Sequence, residues 1–287
     1  FASAYPDINE NAVAQVWHER LYYKQDEISW GKKNELLFVV VTALTAGLLA
    51  KVPEIFSIDE ERFYSRNIAF LVFPFLIGYF SWKNKQTVRQ LILPFITILL
   101  SVIYINILPG KKETDAIILA CIHLPFMLWA IAGYTFIGGE FQDAQKKIGY
   151  LRFNGDFVVM SALIVLSGII FSGLTIGLFD IIHVDITKSY FQYIVIFGLA
   201  AVPIVGTYLV LNNPQLVNKI SPVIARIFTP FVLVTLLIFI SSVMRTGNYP
   251  YDDRNALMIF NGLLIGVMAL ILFSVSEVTK NTKSLTN

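Results

Sequence analysis

Eight apolar runs, each close to the length of a membrane-spanning helix, constrain this chain more than any other feature. A span needs roughly 20 mainly apolar residues, with a usual range of about 17–25. The runs occupy residues 36–52, 68–82, 91–108, 116–136, 157–182, 190–211, 228–244 and 256–275. The run at 68–82 is the shortest and contains Pro74, so it is either a short tilted span or a re-entrant segment. Arg66 and Lys83 flank it like interfacial anchors, which favours a span.

The secondary structure of these runs is expected to be helical. In lipid, only helices and closed β-barrels satisfy every backbone N–H and C=O group. Barrel strands alternate apolar and polar residues over about ten positions, whereas residues 231–240 are apolar at consecutive positions apart from Thr235. The sequence therefore predicts an all-α, polytopic transmembrane bundle of about eight spans over residues 36–275, followed by a short cytoplasmic tail at 276–287.

The composition indicates that the lipid bilayer is the main partner of the chain. Hydrophobic residues make up 56% of the sequence and charged residues 15%, whereas a soluble domain is typically about 45–50% apolar and about 25% charged. The hydrophobic residues are too many for the core of one water-soluble domain, because the remaining charged residues would not cover its surface. The net charge of +2 argues against nucleic acid as a partner. The single cysteine, Cys121, excludes a disulfide within the chain and a thiolate metal site.

Residues 1–35 form a separate segment ahead of the first run. Val13, Trp17 and Leu21 recur at helical spacing and share one face. We expect an amphipathic helix that either lies on the cytoplasmic membrane surface or docks on the cytoplasmic loops. The chain begins with Phe1 rather than Met, which indicates part of a longer product or a mature form.

The distribution of basic residues predicts the orientation of the spans. With eight spans, the 22 Lys and Arg residues divide 14 to 8 in favour of the side that holds the N-terminus. Cytoplasmic loops carry the excess of Lys and Arg in membrane proteins. Both termini are therefore predicted to be cytoplasmic.

Small residues at four-residue spacing let helices approach closely inside a membrane. Such motifs occur in the fifth and eighth runs, at Gly168, Ser172, Gly173, Gly177, Gly262 and Gly266. We expect these residues to pack helices of the same chain together. A contact in a homo-oligomer and a chance occurrence are the alternatives.

His123 is the titratable side chain with the clearest position inside a span. It lies two residues before Pro125, and a proline frees a backbone carbonyl of the preceding turn. A histidine in this position can relay protons, bind a ligand or donate a hydrogen bond to a neighbouring helix.

The connection between the fourth and fifth runs carries three charged candidates, Glu140, Arg152 and Asp156. Arg152 and Asp156 are spaced i, i+4 and can pair if the fifth helix begins before Arg152. If the helix begins near Asp156, the carboxylate instead faces the helix N-terminus. The functional alternative is a cytoplasmic gate or docking site built from all three residues.

Catalytic and metal-binding patterns are not found in the sequence. The H-E-x-x-H, G-x-S-x-G and P-loop motifs are missing. Asp180, His183 and Asp185 lie close together in a short loop, which is more typical of a solvated turn than of a metal site. We therefore predict no catalytic residue, no metal site and no cofactor.

Two short stretches resemble a bacterial membrane-protein family. The stretch Tyr150-Leu151-Arg152-Phe153-Asn154-Gly155-Asp156, followed by the glycine-rich fifth run, is similar to the "domain of unknown function 4153" family. Residues 249–254, ahead of the last run, resemble it as well. The resemblance implies a bacterial inner-membrane location and a many-helix bundle, and it implies no activity because the family is uncharacterised.

These observations favour a transport or permeation module for small polar or ionic cargo, because the spans contain several prolines and His123 lies at depth. The rival is a non-catalytic scaffold or assembly subunit of an envelope membrane complex, which fits an absence of buried charge. A membrane-embedded enzyme is the least supported of the three. A polar cavity reaching the membrane midplane near His123 would support transport, and a dry packed bundle would oppose it.

Overall fold

The computed structural model describes residues 31–108, 115–140, 142–213 and 220–247, together with Val13 and scattered positions between 254 and 268. Within these ranges the chain forms helices and turns and no β-strand. The helices are α1 (Lys33–Ala50), α2 (Val52–Ile55), α3 (Glu60–Asn67), α4 (Phe73–Lys83), α5 (Val88–Ile107), α6 (Asp115–Phe136), α7 (Ala144–Ile181), α8 (Thr187–Ser189), α9 (Ile196–Asn212) and α10 (Ile220–Thr246). A 3-10 turn, Ile68–Leu71, precedes α4, and a π-helical turn, Tyr190–Val195, precedes α9.

Seven helical stretches of the described chain are long and apolar enough to cross a membrane, and they coincide with the first seven apolar runs. The expected all-α, multi-pass bundle is thus confirmed, while the run at 256–275 lies largely outside the described residues. In the apolar windows of these stretches, 11% to 44% of the residues are buried. Many of their large apolar side chains are exposed, which is typical of a lipid-contacting surface.

The chain divides at residue 30 into two units, residues 1–30 and residues 31–287. The amphipathic helix predicted there lies outside the described residues, apart from Val13, and so does the predicted tail at 276–287. Helix α1 begins at Lys33, three residues ahead of the start that the apolar run indicates.

The second span is longer than its apolar run. Helices α3 and α4, with the 3-10 turn between them, form one stretch of 24 residues from Glu60 to Lys83. Pro74 lies in the first turn of α4 rather than in the middle of a helix, where its missing N–H breaks no intrahelical hydrogen bond. The side chain of Asp59 begins the stretch by accepting a 2.8 Å hydrogen bond from the Arg62 N–H. This length supports a span rather than a re-entrant segment.

Helix α7 also extends beyond its apolar run, over 38 residues. The Asp143 side chain caps it by accepting hydrogen bonds from the backbone N–H groups of Gln145 and Lys146, at 2.9 and 3.2 Å. A capped start at this point places Arg152 and Asp156 inside the helix. The alternative in which Asp156 faces the helix N-terminus is therefore wrong.

Helix α1 packs mainly against α9, α9 packs against α7, and α6 packs against α4 and α5. One end of this bundle contains the start of α1 and the last residues of α4 and α9, and we name it the Glu35 end. The opposite end contains the last residue of α1 and the π-helical turn, and we name it the Lys51 end. Helices α7 and α10 share an apolar core of Leu178, Phe179, Ile182 and Phe239.

Candidate functional site

A buried carboxylate lies at the Glu35 end of the bundle. Glu35, in the first turn of α1, is only 7% exposed. Its Oε1 atom accepts hydrogen bonds from the Tyr79 hydroxyl, from Lys83 Nζ at 3.0 Å and from Asn212 Nδ2 at 3.0 Å. These four residues, named here the Glu35 cluster, join α1 to α4 and to α9.

The geometry of the Glu35 cluster follows from helical spacing. Tyr79 and Lys83 lie four residues apart on α4, so both side chains reach the same neighbour. Lys83 Nζ also donates to Asn212 Oδ1 at 3.3 Å, which links α4 directly to α9. The buried carboxylate is therefore both charge-balanced and hydrogen-bonded, as burial of a charge requires.

A glycine in the left-handed conformation precedes α1 beside this carboxylate. Gly31 has a φ of +59°, and a Cβ atom at this position would lie 2.7 Å from Glu35 Oε2 and 3.3 Å from the Tyr208 ring. Glycine is thus required both by the left-handed conformation and by the close approach of the two side chains.

A second charged cluster lies at the Lys51 end. Lys51, which follows α1, is 6% exposed and forms an ion pair with Glu54 of α2. Its ammonium group lies 4.5 Å from the ring centroid of Tyr193, a cation–π arrangement. Gln192 donates a 3.3 Å hydrogen bond to the Glu54 carboxylate. This Lys51 cluster therefore joins the end of α1 to the π-helical turn that precedes α9.

Between the two clusters, α1 and α9 pack closely. A Cβ atom on Gly47 would lie 2.3 Å from Phe197 Cδ1, so only glycine leaves room for this ring. Close approach at small residues is the usual basis of helix packing in lipid. Helix α1 is therefore held at its start by the Glu35–Lys83 ion pair. Its other end is held by the contact of Lys51 with the Tyr193 ring and by the Gly47–Phe197 packing. We name this arrangement the α1 clamp.

Arg66 holds a third buried charge, at the C-terminal end of α5. It is 5% exposed, and its Nη1 donates hydrogen bonds to the carbonyls of Ile105 and Leu108 at 3.1 and 3.0 Å. The neighbouring Asn67 exchanges side-chain amide hydrogen bonds with Asn106 at 3.0 and 2.9 Å. The guanidinium group of Arg66, predicted to be an interfacial anchor, thus caps a helix C-terminus.

Buried charge is thus present, contrary to the expectation from the sequence. Glu35, Lys51 and Arg66 are all under 9% exposed. Each lies near a helix end rather than in the middle of a span. This position explains why the apolar runs do not reveal them.

His123 lies on the outer surface of α6. Its side chain is exposed, and its Nδ1 is 2.8 Å from the carbonyl of Leu119 on the same helix. It is about 12 Å along the helix from Asp115, at 1.5 Å per residue. The structure does not bring His123 into contact with the Glu35 or Lys51 cluster.

The three charged residues around the start of α7 are not brought together. Glu140 forms an ion pair with Lys146. Arg152 is exposed, Asp156 is half-buried, and no ion pair joins them among the described residues. The predicted gate or docking site therefore stays a prediction without a shared geometry.

Some small residues of the fifth run contact another part of the chain, and others do not. A Cβ atom on Gly168 or Gly173 would meet no atom within 4 Å, so neither contacts another described helix closely. Ser172 accepts a 3.2 Å hydrogen bond from the Tyr190 hydroxyl and donates to the Gly168 carbonyl at 2.7 Å. Gly177 lies on the same helix, and it is half-buried.

The last two predicted packing residues belong to the partly described eighth run. A Cβ atom on Gly262 or Gly266 would meet no atom within 4 Å. Gly266 lines an apolar cavity of about 220 Å³ together with residues of α7 and α10, among them Ser167, Thr175, Phe228 and Thr235. The Ser167 and Thr175 hydroxyls bond to carbonyls of their own helix at 2.8 Å. This cavity therefore offers few free polar groups, and it lies away from α6.

Among the described residues, no group of three or more His, Cys, Asp and Glu side chains could hold a metal ion. The Asp185 carboxylate accepts a 2.9 Å hydrogen bond from the backbone N–H of Thr187. This bond, with a second from the Thr187 hydroxyl, holds the pKa of Asp185 below its ordinary value. The geometry is that of a polar turn, as the sequence indicates.

Sequence reasoning overlooked the Glu35 and Lys51 clusters. A usable signal exists for the first: Tyr79–Lys83 and Tyr208–Asn212 place a tyrosine one turn before a polar residue at the end of two spans. No comparable local pattern marks Glu35 as their common partner. Comparison of the chain with protein-family models, curated proteins and solved structures gave no match.

Proposed function

We propose that this integral membrane protein is an assembly subunit, a helical scaffold within a membrane complex. The α1 clamp is the observation that carries the proposal. Ion-paired clusters at the Glu35 end and the Lys51 end fix α1 to its neighbours, and Phe197 occupies the space beside Gly47. Such a bundle presents its outer helix faces in a fixed arrangement.

The outer surface of the spans supports the same proposal. His123 on α6 and Gly173 on α7 are exposed, at positions where a helix of a partner would meet a polar atom and a small residue. Both features fit association of this bundle with a helix of a partner protein within the bilayer.

Transport is the second candidate, and a specific observation favours it. A charged cluster lies at each end of the bundle, and the contacts that these clusters make with neighbouring helices could open in turn as gates. Transport of small polar or ionic cargo would then require α1 to separate from α9 at one end while the other end stays closed.

One double variant distinguishes the two candidates. Glu35→Gln with Lys83→Met removes the ion pair at the Glu35 end while leaving the Lys51 cluster intact. For a scaffold, we expect lower thermal stability, weaker chemical cross-linking to neighbouring membrane proteins, and no change in solute flux through reconstituted vesicles. For a transporter, we expect flux to change several-fold while the cross-links persist.

The matched control is Glu61→Gln with Arg62→Met, which removes one exposed acidic and one exposed basic side chain outside the clamp. Exposed charges contribute about 0–1 kcal/mol, so this variant should behave as wild type in both assays. An equal effect of the two double variants would show that the clamp has no special role.

We further propose a bacterial inner-membrane location with both termini cytoplasmic, supported by the 14 to 8 division of Lys and Arg. A cysteine in place of Lys111, in a Cys121→Ser background, should react with an impermeant thiol reagent from outside. Labelling only after permeabilisation would reverse the orientation. Membership of the "domain of unknown function 4153" family is proposed on the motifs at 150–156 and 249–254.

A further inference from the structure

Four basic side chains are exposed around the Glu35 end of the bundle, at Lys32, Lys33, Lys85 and Arg89. We name this set the basic patch. The 3.0 Å contact between Lys83 and Glu35 joins the two parts of the chain that carry it. Because the patch residues lie two to six positions from Glu35 or Lys83, they share one side of the bundle end.

Among the described residues, none of the four side chains of the basic patch forms an ion pair. Glu35 is two residues from Lys33, but its carboxylate is buried and engaged by Tyr79, Lys83 and Asn212. The patch therefore attracts an anion from outside the bundle.

An aromatic pair lies at the same end. Trp82 is 44% exposed, and its ring stacks on Phe38 with centroids 5.2 Å apart and planes at 8°. Tryptophan at the end of a membrane-spanning helix prefers the level of the lipid headgroups and glycerol. A phospholipid matches this arrangement, because its phosphate can lie next to the basic side chains while its glycerol lies next to the Trp82 indole ring.

We propose that the basic patch and Trp82 form a binding site for the headgroup of anionic phospholipids. A lipid fits better than an acidic protein segment, because the half-exposed indole is adapted to the acyl–headgroup boundary. Each Lys or Arg near a membrane surface strengthens the attraction to anionic lipid by about fivefold. Loss of the whole patch should therefore abolish a measurable preference. The proposal holds for a scaffold and for a transporter alike.

The test measures which lipid lies beside Trp82. The full chain is reconstituted in nanodiscs that contain either brominated phosphatidylglycerol in phosphatidylcholine or brominated phosphatidylcholine in phosphatidylglycerol, at equal mole fractions. Bromine quenches nearby tryptophan, and subtraction of a Trp82→Phe sample isolates the signal of Trp82. We expect quenching by the anionic lipid to exceed quenching by the zwitterionic lipid at least twofold.

Two quadruple variants complete the design. K32Q/K33Q/K85Q/R89Q removes the patch, and R62Q/K188Q/R245Q/R254Q removes the same charge from exposed positions at the other ends of the spans. The first should equalise the two quenching values, and the second should leave the preference intact. Equal quenching in the wild type, or loss of the preference in both variants, would overturn the proposal. Binding of a soluble polyglutamate peptide without any lipid preference would instead identify an acidic protein partner and would also overturn it.

Discussion

Glu35 shows at the scale of one residue how this bundle accommodates charge. The carboxylate lies in the first turn of α1, is buried, and accepts hydrogen bonds from three side chains on two other helices. A buried charge without partners would cost several kcal/mol, so each donor of the cluster has a stabilising role. Lys83 keeps a third of its side chain exposed, which screens part of the ion pair.

We expect Glu35→Ala to lower the free energy of unfolding by about 2 kcal/mol, because Lys83 loses its counter-ion and Tyr79 loses its acceptor. Thermal unfolding in detergent micelles measures this change. Glu140→Ala, at an exposed pair, is the control. A double-mutant cycle between Glu35 and Lys83 should give a coupling of about 1 kcal/mol, and a coupling near zero would contradict an energetic role of the pair.

Gly47 is the second residue with a specific steric role. We expect Gly47→Ala to destabilise the bundle by about 1–3 kcal/mol, because its Cβ would lie 2.3 Å from Phe197 Cδ1. Gly198→Ala is the matched control on the facing helix, since a Cβ there meets nothing within 4 Å. Adding Phe197→Leu to Gly47→Ala should restore part of the loss in melting temperature. Failure of this rescue would argue that the ring is not the cause.

At the scale of elements, side chains from elsewhere in the chain cap the helix ends. Arg66 donates to the last carbonyls of α5. Asn84 and Gln86 donate to the Thr135 carbonyl at the end of α6, at 2.8 and 2.9 Å, and Gln90 donates to the Gly138 carbonyl at 2.9 Å. Because the final carbonyls of a helix have no partner within it, these contacts satisfy the helix ends.

We expect Arg66→Met to destabilise the end of α5 by about 2 kcal/mol, because the Ile105 and Leu108 carbonyls lose their donor. Hydrogen exchange should become faster for the backbone amides of residues 105–108 than for the rest of α5. Arg62→Met is the control, since Arg62 is exposed in the same stretch. Uniform protection of α5 in both variants would show that the guanidinium group is not needed as a cap.

At the scale of the whole molecule, the stretch from Glu60 to Lys83 decides the topology of every later span. Its continuous helical course across 24 residues predicts that Ser57 and Lys85 lie on opposite sides of the membrane. In a Cys121→Ser background, cysteines at these two positions should be labelled by an impermeant reagent from opposite sides of sealed vesicles. Cysteine at His183 should follow Ser57, and cysteine at Lys147 should follow Lys85. Labelling of Ser57 and Lys85 from the same side would show that the stretch is re-entrant.

The sequence alone determined the fold class, because a run of about 20 apolar residues has few alternatives to a membrane-spanning helix. It also located the seven described spans, although their ends shifted where polar residues such as Glu60 and Lys146 extended a helix beyond its apolar part. The tertiary structure decided which polar residues are buried. Glu35, Tyr79 and Asn212 lie far apart along the chain, and no local pattern pairs them. Contacts between residues distant in sequence depend on how the helices pack, and apolar periodicity does not specify that packing.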